Sequence, residues 1–362
     1  MKVLLVSEGS GGHLIPALQV ADRLARSGAT VQLWYAQREQ TAALTEALTR
    51  NTQERVELAP IPIAGGGMLA RLWQCGQLWS RSQQCFDRFA PDVVVGFGGW
   101  ISAPVVMAAR QRRIDCMVHE QNVELGRANR WLARWVDRVA VSFPETRTRL
   151  NGHPAVVTGM PVREAIGLSL PGQGAAQFGL QASRPTVLVL GGSQGSRAVN
   201  RLLVACLPQL SVEERRQWQF LHISGLAQAR EVQDAYTREQ LTAWAGAFVA
   251  DMDAAYAQAD VVIARAGAST IAELARCGKP AILIPYPHAG AHQRANAQVA
   301  AASGGAIVLE ESATTPEALL GQVRAVMRDT DLRQRMGAGM RRLAVTDAAA
   351  RLAQVINELG QG

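Results

Sequence analysis

Short apolar runs alternate with longer amphipathic segments along most of the chain. The run over residues 2–6 precedes a predicted helix near 15–27, which Pro16 is expected to start and Gly28 to end. A similar run at 186–190 is also followed by small residues and a helical pattern. Strands that alternate with helices are typical of parallel sheets covered by helices on both faces. The pattern therefore predicts an α/β fold with doubly wound parallel sheets.

The predicted elements fall into two halves, separated by a segment with few large apolar side chains. Residues 164–184 are rich in Gly, Ala, Gln and Pro and are predicted to form a linker. We expect domains at 1–163 and 185–345, and a C-terminal helix within 346–362 that could close either domain. Predicted strands lie near 2–6, 30–35, 92–95, 116–119, 138–142 and 155–158 in the first half, and near 186–190, 219–223, 246–249, 261–264, 281–284 and 306–309 in the second.

Two of the strands run directly into glycine-rich loops that open helices, at Gly9–His13 and at Gly191–Ser196. Backbone N–H groups and the helix dipole make such a loop an anion site. The first loop has Leu14 where G-x-G-x-x-G needs glycine, and only Glu39 is available as a ribose-binding acid, which disfavours NAD and FAD. Two such loops predict two domains around a phosphorylated ligand.

Composition narrows the class of protein further. The chain has 362 residues, enough for about two domains. No apolar run reaches the ~18 residues of a membrane-spanning helix, and no signal-peptide pattern is found, so we expect a cytosolic protein. The five cysteines are scattered and form no C-x-x-C, which argues against disulfides and zinc. The net charge is +7, but aromatic residues make up only 5% and no basic run occurs, so no nucleic acid partner is expected.

Polar residues follow several predicted strands, at the edge where ligands bind in parallel sheets. His13 is predicted in the first turn of its helix, where the dipole disfavours a positive charge and keeps a neutral base available; a surface or capping histidine is the alternative. In His119–Asn122, Glu120 could orient a neighbour and Asn122 could bind a sugar hydroxyl. Arg163, at the predicted domain junction, could bind a phosphate or base, or face solvent at a hinge.

The second half holds two further candidate groups. Small residues over 265–272 would let a ligand approach the start of a helix. Glu273 could accept hydrogen bonds from a ribose diol, or serve as an acid stabilised by the helix dipole. The polar stretch 288–296 could bind sugar hydroxyls, whereas zinc binding by His288 and His292 is disfavoured by an intervening glycine.

Two other motifs admit both a structural and a functional interpretation. Asp251-Met252-Asp253 resembles the metal-binding D-x-D of some transferases, but a helix cap is favoured. Residues 64–80 could form an ordinary core helix or a surface for an anionic membrane. The residues of that surface would be Met68, Leu69, Leu72, Trp73 and Trp79, with Arg71 and Arg81 nearby.

Taken in order, these motifs resemble the MurG family of bacterial glycosyltransferases over essentially the whole chain. No single motif is decisive, but the ordered set is specific. The resemblance implies a GT-B fold, in which two Rossmann-like domains face each other across a cleft that holds the active site. The motifs are Gly9–His13 with Pro16-Ala17-Leu18, Asp92–Gly99, His119–Asn122, Gly159–Arg163, Gly191–Gly195, Asp251–Asp260, Arg265–Glu273 and His292–Ala297.

The resemblance also implies roles for individual residues. For the N-terminal, acceptor-side domain these are Ser10, Gly11 and Gly12 in the glycine loop, His13 as candidate base, Asn122 on a sugar and Arg163 at the junction. For the C-terminal, UDP-sugar-binding domain they are Ser193 and Gln194 on the donor diphosphate, Val249 beside the uracil, the donor segment Ala268, Ser269, Thr270, Ile271 and Ala272, Glu273 on the ribose, and His292 and Gln293 on the sugar. The chain departs from the family at Ser10, where threonine is usual, at Met160, where asparagine is usual, and at His292, where some members have glutamine.

The implied reaction is an inverting transfer of N-acetylglucosamine from UDP-N-acetylglucosamine to the C4 hydroxyl of the N-acetylmuramyl unit of undecaprenyl-linked lipid I. The loop at 191–195 is expected to stabilise the leaving UDP without a metal or other cofactor, and His13 to take the proton. Implied partners are these two substrates, an anionic membrane surface at the cytoplasmic face of the inner membrane, and other cell-wall synthesis and division proteins. Two alternatives stay open: another GT-B enzyme, such as a UDP-N-acetylglucosamine 2-epimerase or a glycolipid transferase, and a non-catalytic sugar-nucleotide-binding scaffold.

Overall fold

The computed structural model describes residues 1–37, 46, 49, 54–63, 65, 67–150, 152–191, 195–287 and 292–361. The chain divides into two compact units. The first consists of residues 1–163 together with 345–362, and the second of residues 164–344.

The first unit is built on a parallel sheet of seven strands in the order β3-β2-β1-β4-β5-β6-β7. Its strands are β1 (Lys2–Ser7), β2 (Thr30–Gln37), β3 (Glu57–Pro62), β4 (Val93–Gly96), β5 (Asp115–Glu120), β6 (Arg138–Val141) and β7 (Ala155–Val157). Its first helices are α1 (Gly11–Arg26), α2 (Met68–Phe89), α3 (Ser102–Gln111) and α4 (Arg127–Leu132).

The second unit is built on a parallel sheet of six strands in the order β10-β9-β8-β11-β12-β13. Its strands are β8 (Thr186–Leu190), β9 (Gln219–Ile223), β10 (Ala243–Gly246), β11 (Val261–Ala264), β12 (Ala281–Leu283) and β13 (Ala306–Val308). Its helices are α5 (Arg197–Cys206), α6 (Val212–Gln217), α7 (Ala229–Arg238), α8 (Met252–Gln258), α9 (Ala268–Cys277), α10 (His292–Ala302), α11 (Pro316–Arg328) and α12 (Thr330–Arg341). The last helix, α13 (Ala348–Leu359), returns to the first unit.

The central strand β1 explains why its sequence is an unbroken apolar run. Val3 and Leu5 belong to a buried cluster that contains residues of α1 and α13, whereas Leu4 and Val6 belong to a second cluster that contains residues of α2 and α3. Alternate side chains of a strand face opposite sides of the sheet, so a strand covered on both faces must be apolar at every position.

The structure confirms most of the predicted strands to within two residues, corrects two local predictions and adds one strand that was not predicted. The helix α1 begins at Gly11, so Pro16 lies inside it and does not start it. The strand predicted at 246–249 is wrong, because β10 ends at Gly246. The strand β3 was not predicted; it contains two prolines and lies at the edge of its sheet, where a missing N–H is tolerated.

Both sheets have the strand order that creates a topological switch point. In each, the chain winds outward from its first strand, β1 or β8, and then crosses to the other side with β4 or β11. The loops after these two neighbouring strands leave the carboxyl edge towards opposite faces, and the crevice between them is where open α/β sheets bind ligands. Each unit therefore has one favoured location for a site.

A buried carboxylate of the second unit gives a prediction about acid stability. Glu214 accepts hydrogen bonds from Arg324 at 2.7 and 2.9 Å and from Arg328 at 2.8 Å, and its side chain is 3% exposed. These bonds, chiefly that with Arg324, lower its pKa from 4.5 to about 2. Because the folded pKa lies below the unfolded one, the stabilisation is present above pH 4.5 and is lost as the pH falls towards 2.

We expect Glu214→Gln to lower the free energy of unfolding at pH 7 by about 2–3 kcal/mol and to remove this part of the acid dependence. Urea unfolding at pH 7 and pH 3 measures both effects. Glu213→Gln is the matched control, since Glu213 is an exposed neighbour on the same helix. An unchanged acid dependence in Glu214→Gln would contradict the assignment.

Candidate functional site

The first switch point is occupied by the start of α1. Ser10 lies at the N-cap position, but its side chain does not cap the helix. Instead, its Oγ lies 2.8 Å from Nδ1 of His13, within hydrogen-bond distance. Gly12 follows in the first turn, and a Cβ there would meet no described atom within 4 Å. The loop therefore orients His13, as predicted in the first turn, and leaves space for a ligand beside the helix start.

The loop after β4 closes on the opposite side of the His13 ring. Gly98 has φ +79°, and a Cβ there would lie 3.1 Å from Cδ2 and 3.3 Å from Nε2 of His13. Its neighbour Gly99, also at φ +79°, lies so close to Glu8 that any side chain would overlap the Glu8 side chain. Both positions thus need glycine, for backbone conformation and for close approach. The imidazole is held between Ser10 on one edge and Gly98 on the other.

A second histidine, fully buried, stands behind this loop. Gln121 donates from Nε2 to the carbonyl of Phe97 at 3.1 Å and to Nδ1 of His119 at 3.3 Å, which leaves Nε2–H of His119 to donate to the carbonyl of Gly159 at 3.2 Å. Burial, opposed by the bond to Gly159 and assisted by the nearby His13, lowers the pKa of His119 from 6.5 to about 4. His119 is therefore neutral at pH 7 and places no positive charge beside His13.

Glu120 organises the loop after β5, as the sequence suggested. Its Oε1 accepts from the backbone N–H of Asn122 at 2.9 Å and from Asn122 Nδ2 at 3.3 Å. Its Oε2 accepts from Gly126 N–H and from Asn129 Nδ2, each at 2.9 Å. The carboxylate is 1% exposed, whereas Asn122 is half-buried. Asn122 is thus fixed at the carboxyl edge of the sheet with part of its side chain accessible.

The end of the first unit carries Met160 and Arg163. Met160 is 6% exposed, and its Sδ accepts a hydrogen bond from Ser142 Oγ at 3.5 Å. The side chain that replaces asparagine is therefore buried, and it contacts Ser142, whose hydroxyl also lies 3.4 Å from Nε2 of His119. Arg163 is half-buried and is the last residue of the first unit before residue 164.

The second switch point carries the other glycine loop. Ser193 and Gln194, which the sequence analysis assigns to the diphosphate, lie outside the described residues. A Cβ at Gly191 would lie 2.4 Å from the backbone nitrogen of Ser196, and one at Gly195 would lie 2.5 Å from the carbonyl of Ser224. At both positions a side chain would overlap neighbouring backbone, so glycine is required beside the start of α5, whose N-cap is Ser196.

Arg265, at the end of β11, ties the loops of this edge together. It is 8% exposed; its Nε donates to Ser196 Oγ at 3.0 Å and its Nη1 to the carbonyl of Ile284 at 3.0 Å. Its Nη2 forms an ion pair with Glu311. The guanidinium also lies over the ring of Tyr286, 5.5 Å from the centroid. The Arg265 guanidinium thus connects the start of α5 to the loops after β12 and β13.

Val249 lies beyond β10 in the loop that leads to α8. Its side chain is 6% exposed, while the neighbouring Phe248 is 47% exposed. Within the part of the chain that the structure describes, neither the N–H nor the C=O of Val249 forms a hydrogen bond. A backbone donor and acceptor beside a buried apolar side chain can pair with the edge of a planar base.

The helix α9 begins at Ala268 after an N-cap glycine, which leaves its first N–H groups without a side-chain cap. The donor segment predicted from the sequence forms its first turns, with Ala268 and Ile271 buried and Ser269, Thr270 and Ala272 half-buried. Glu273 follows in the second turn at 7% exposure, and its Oε2 accepts a hydrogen bond from Tyr256 Oη at 2.8 Å.

The start of α10 forms hydrogen bonds with loops at the same carboxyl edge of the sheet. Gln293 accepts through Oε1 from the backbone N–H of Ala266 at 3.2 Å and of Tyr286 at 2.9 Å, so its Nε2 is the group left to donate to a ligand. His292, the first residue of α10, is half-buried. His288 lies outside the described residues, so the alternative of a zinc pair with His292 is not tested.

Both carboxylates of the D-x-D motif accept hydrogen bonds from backbone N–H groups. Asp251 caps α8 by accepting from Ala254 N–H at 3.1 Å, as the sequence favoured. Asp253 is 6% exposed and accepts from the backbone N–H of Gly167 at 2.6 Å and of Ser169 at 2.7 Å. Among the described residues, no group of three or more acidic, His or Cys side chains is arranged to hold a metal.

The start of α2 exposes an apolar surface, which we call the α2 patch. Met68, Leu69, Leu72 and Trp73 are 78%, 80%, 62% and 66% exposed, respectively. Trp79 was expected to join them, but it is half-buried and packs against the core of the first unit. Arg71 is exposed, and the Arg81 guanidinium lies over the ring of Trp34 at 4.9 Å. Among the described helices, none is long and apolar enough to cross a membrane.

Each unit thus has most of those predicted site residues that the structure describes near the carboxyl edge of its sheet. Sequence reasoning assigned no role to Gly98, Gln121, Arg265 and Tyr256, although they hold the predicted residues in place. The role of Gly98 could have been recognised in the sequence, because glycines follow β4 directly. The other three depend on contacts between distant segments, which leave no local pattern.

Two doubly wound parallel-sheet units, each with candidate ligand residues at its switch point, define the class of protein as a GT-B-type α/β protein. Residues 3–141 match the glycosyltransferase family 28 N-terminal domain, and residues 186–352 match the glycosyltransferase family 28 C-terminal domain. The chain therefore belongs to glycosyltransferase family 28.

Relatives match along the whole chain. A UDP-N-acetylglucosamine--N-acetylmuramyl-(pentapeptide) pyrophosphoryl-undecaprenol N-acetylglucosamine transferase from Desulfotalea psychrophila is 38% identical over 99% of this chain and 96% of its own length. The transferase of the same name from Syntrophotalea carbinolica is 37% identical over 100% of both chains. The crystal structure of Acinetobacter baumannii MurG has a TM-score of 0.75 at 29% identity and covers 99% of each chain. The UDP-GlcNAc 2-epimerase of Neisseria meningitidis has a TM-score of 0.74 at 12% identity, a likeness of fold alone.

We expect Gly98→Ala to lower the turnover of glycosyl transfer about tenfold, since the new methyl group must displace the His13 ring by a few tenths of an ångström. The matched control is Gly28→Ala, because Gly28 also has positive φ (+91°) but a Cβ there meets nothing within 4 Å. Both variants should lose about 1–2 kcal/mol of stability. Thermal unfolding and steady-state kinetics separate the two effects, and equal turnover in both variants would overturn this assignment.

Proposed function

We propose that this protein transfers N-acetylglucosamine from UDP-N-acetylglucosamine to the C4 hydroxyl of the N-acetylmuramyl unit of lipid I, with inversion at the anomeric carbon. The product is the disaccharide lipid used for peptidoglycan synthesis. The observation that carries the proposal is the 37–38% identity, over nearly the full length of both chains, to relatives named for this reaction. A match confined to the second domain would support only the binding of a nucleotide sugar.

The second unit offers the groups that a UDP-sugar donor requires. The backbone N–H and C=O of Val249 match the acceptor and donor on the edge of uracil. The carboxylate of Glu273 can accept from both hydroxyls of the ribose diol. The Nε2 of Gln293 can donate to a sugar hydroxyl. These assignments follow the residues that the motifs single out, and each group lies at the carboxyl edge of one sheet.

The diphosphate of the donor would meet the N-terminus of α5. Gly195 directly precedes the N-cap Ser196, so the first N–H groups of the helix and its dipole would face an incoming anion. The Arg265 guanidinium, whose Nε donates to the Oγ of the N-cap Ser196 at 3.0 Å and whose charge is paired with Glu311, holds the start of this helix in place. Developing negative charge on the leaving UDP is stabilised by such preorganised groups without rearrangement.

The acceptor hydroxyl must lose a proton, and His13 is the base that the first unit offers. The productive tautomer has Nδ1–H donating to Ser10 Oγ, which leaves the Nε2 lone pair to take the proton. The hydroxyl of Ser10 supplies this acceptor as well as the threonine usual in the family would. A neutral His119 behind the loop lets His13 become positively charged without a like charge beside it.

Product identification tests the proposal. The protein is incubated with radiolabelled UDP-N-acetylglucosamine and a short-chain lipid I analogue, and we expect label in a β-linked disaccharide lipid. UDP-N-acetylmannosamine formed from the donor alone would instead identify an epimerase. Donor binding without any turnover, even with the analogue present, would support a non-catalytic scaffold. Either of these outcomes contradicts the proposal.

We further propose that the protein works as a peripheral protein at the cytoplasmic face of the inner membrane, where its lipid-linked acceptor lies and where other cell-wall synthesis and division proteins would meet it. The α2 patch supports this location. Its four apolar side chains are 62–80% exposed at the start of a helix, next to the exposed Arg71. An apolar face flanked by cations suits a surface of anionic lipids.

We expect the double variant Leu69→Glu/Trp73→Glu to lose flotation with anionic liposomes, because both changes place charge in the apolar region of the lipid surface. The matched control is Leu168→Glu/Leu170→Glu in the second unit, where the two leucines are 69% and 71% exposed. Circular dichroism checks the fold of both. Undiminished flotation of the first variant would rule out the α2 patch as the membrane contact.

A further inference from the structure

We propose that Tyr256 is a positioning residue, which orients the carboxylate of Glu273 for the two hydroxyls of a ribose. This inference rests on the proposed function, and it assigns the discrimination between ribose and deoxyribose donors to a pair of side chains on two different helices. Tyr256 belongs to none of the segments assigned to the donor above.

The geometry links the two side chains directly. Tyr256 is 1% exposed and Glu273 is 7% exposed, and Tyr256 Oη donates to Glu273 Oε2 at 2.8 Å. Breaking this bond would leave a buried hydroxyl without water to replace its partner, which is unfavourable, so the bond is maintained in the folded protein. Hydrogen bonds to a charged acceptor are also stronger than those between neutral groups.

The helix that carries Tyr256 is itself fixed at its beginning. Asp251 caps α8 through Ala254 N–H, and Asp253 accepts from Gly167 and Ser169 N–H. Asp253 is 6% exposed, so these charge-assisted bonds lie away from solvent. The phenol is therefore presented to Glu273 from a rigid support rather than from a mobile loop.

The chemistry of the carboxylate explains why its orientation matters. An ionised carboxylate has about four acceptor sites on two oxygens, and the phenol occupies one of them on Oε2. A carboxylate can accept from two vicinal hydroxyls at once only if its plane is fixed. The terminal torsion of a glutamate side chain is otherwise broad. Tyr256 thus supplies the restraint that a bidentate contact needs.

The test compares the dissociation constants of UDP and 2′-deoxy-UDP by calorimetry. In the wild-type protein we expect UDP to bind about tenfold or more tightly than deoxy-UDP, since deoxy-UDP lacks one of the two hydroxyls that would donate to the carboxylate. We expect Tyr256→Phe, which removes one oxygen atom, to reduce this preference to about threefold or less. In a Glu273→Gln background, Tyr256→Phe should change the preference no further, because the effect acts through the carboxylate.

Tyr236→Phe is the matched control. Tyr236 is 0% exposed and donates from Oη to His222 Nδ1 at 3.2 Å, so this variant also deletes a buried, bonded phenol hydroxyl in the same unit. A purely structural effect of deletion would appear in both variants, whereas the ribose preference should fall only in Tyr256→Phe. Thermal unfolding of both variants verifies that they are folded.

The measurements distinguish a failure of the positioning role of Tyr256 from a failure of the ribose assignment of Glu273. If Glu273→Gln abolishes the ribose preference and Tyr256→Phe leaves it intact, the positioning role is overturned and the donor assignment stands. If the wild-type protein binds UDP and deoxy-UDP equally, or binds neither, both the positioning role and the ribose assignment of Glu273 are overturned.

Discussion

The structure depends on one constraint, which is that all strands of a parallel sheet end at the same edge. Loops that are far apart in sequence therefore begin their helices side by side, and the reversal of strand order opens a crevice among them. In the first unit this brings Ser10, His13, Gly98 and Gln121 to one edge. In the second it brings Ser196, Arg265, Glu273 and Gln293 to another. Residues that are far apart in the chain can form one site because the topology brings them to the same edge of the sheet.

Most of this arrangement could be predicted from the sequence, because strand, loop and helix signals are local. The apolar run at 2–6 is unbroken since β1 is buried on both faces, and that pattern alone indicates a parallel sheet. The glycine loops and the residues that follow β5 and β11 were found because their position at strand ends is itself informative. The cap at Asp251 was predictable for the same reason.

The rest could not be predicted, because it depends on contacts between distant segments. The β3 strand contains two prolines and is tolerated only because it lies at an edge. Trp79 resembles its apolar neighbours in sequence but faces the core. The requirement for glycine at Gly98 comes from the His13 ring 85 positions earlier in the chain. The pairing of Tyr256 with Glu273 joins two helices across 17 positions.

The central claim is that the first unit holds His13 as the base for glycosyl transfer. The most direct test compares turnover at saturating substrates with the dissociation constant of UDP-N-acetylglucosamine in His13→Ala, with His153→Ala as control for loss of a histidine elsewhere in the same unit. The account predicts that His13→Ala loses about a hundredfold or more in turnover while donor binding stays within about twofold. Turnover equal to that of the control would contradict it.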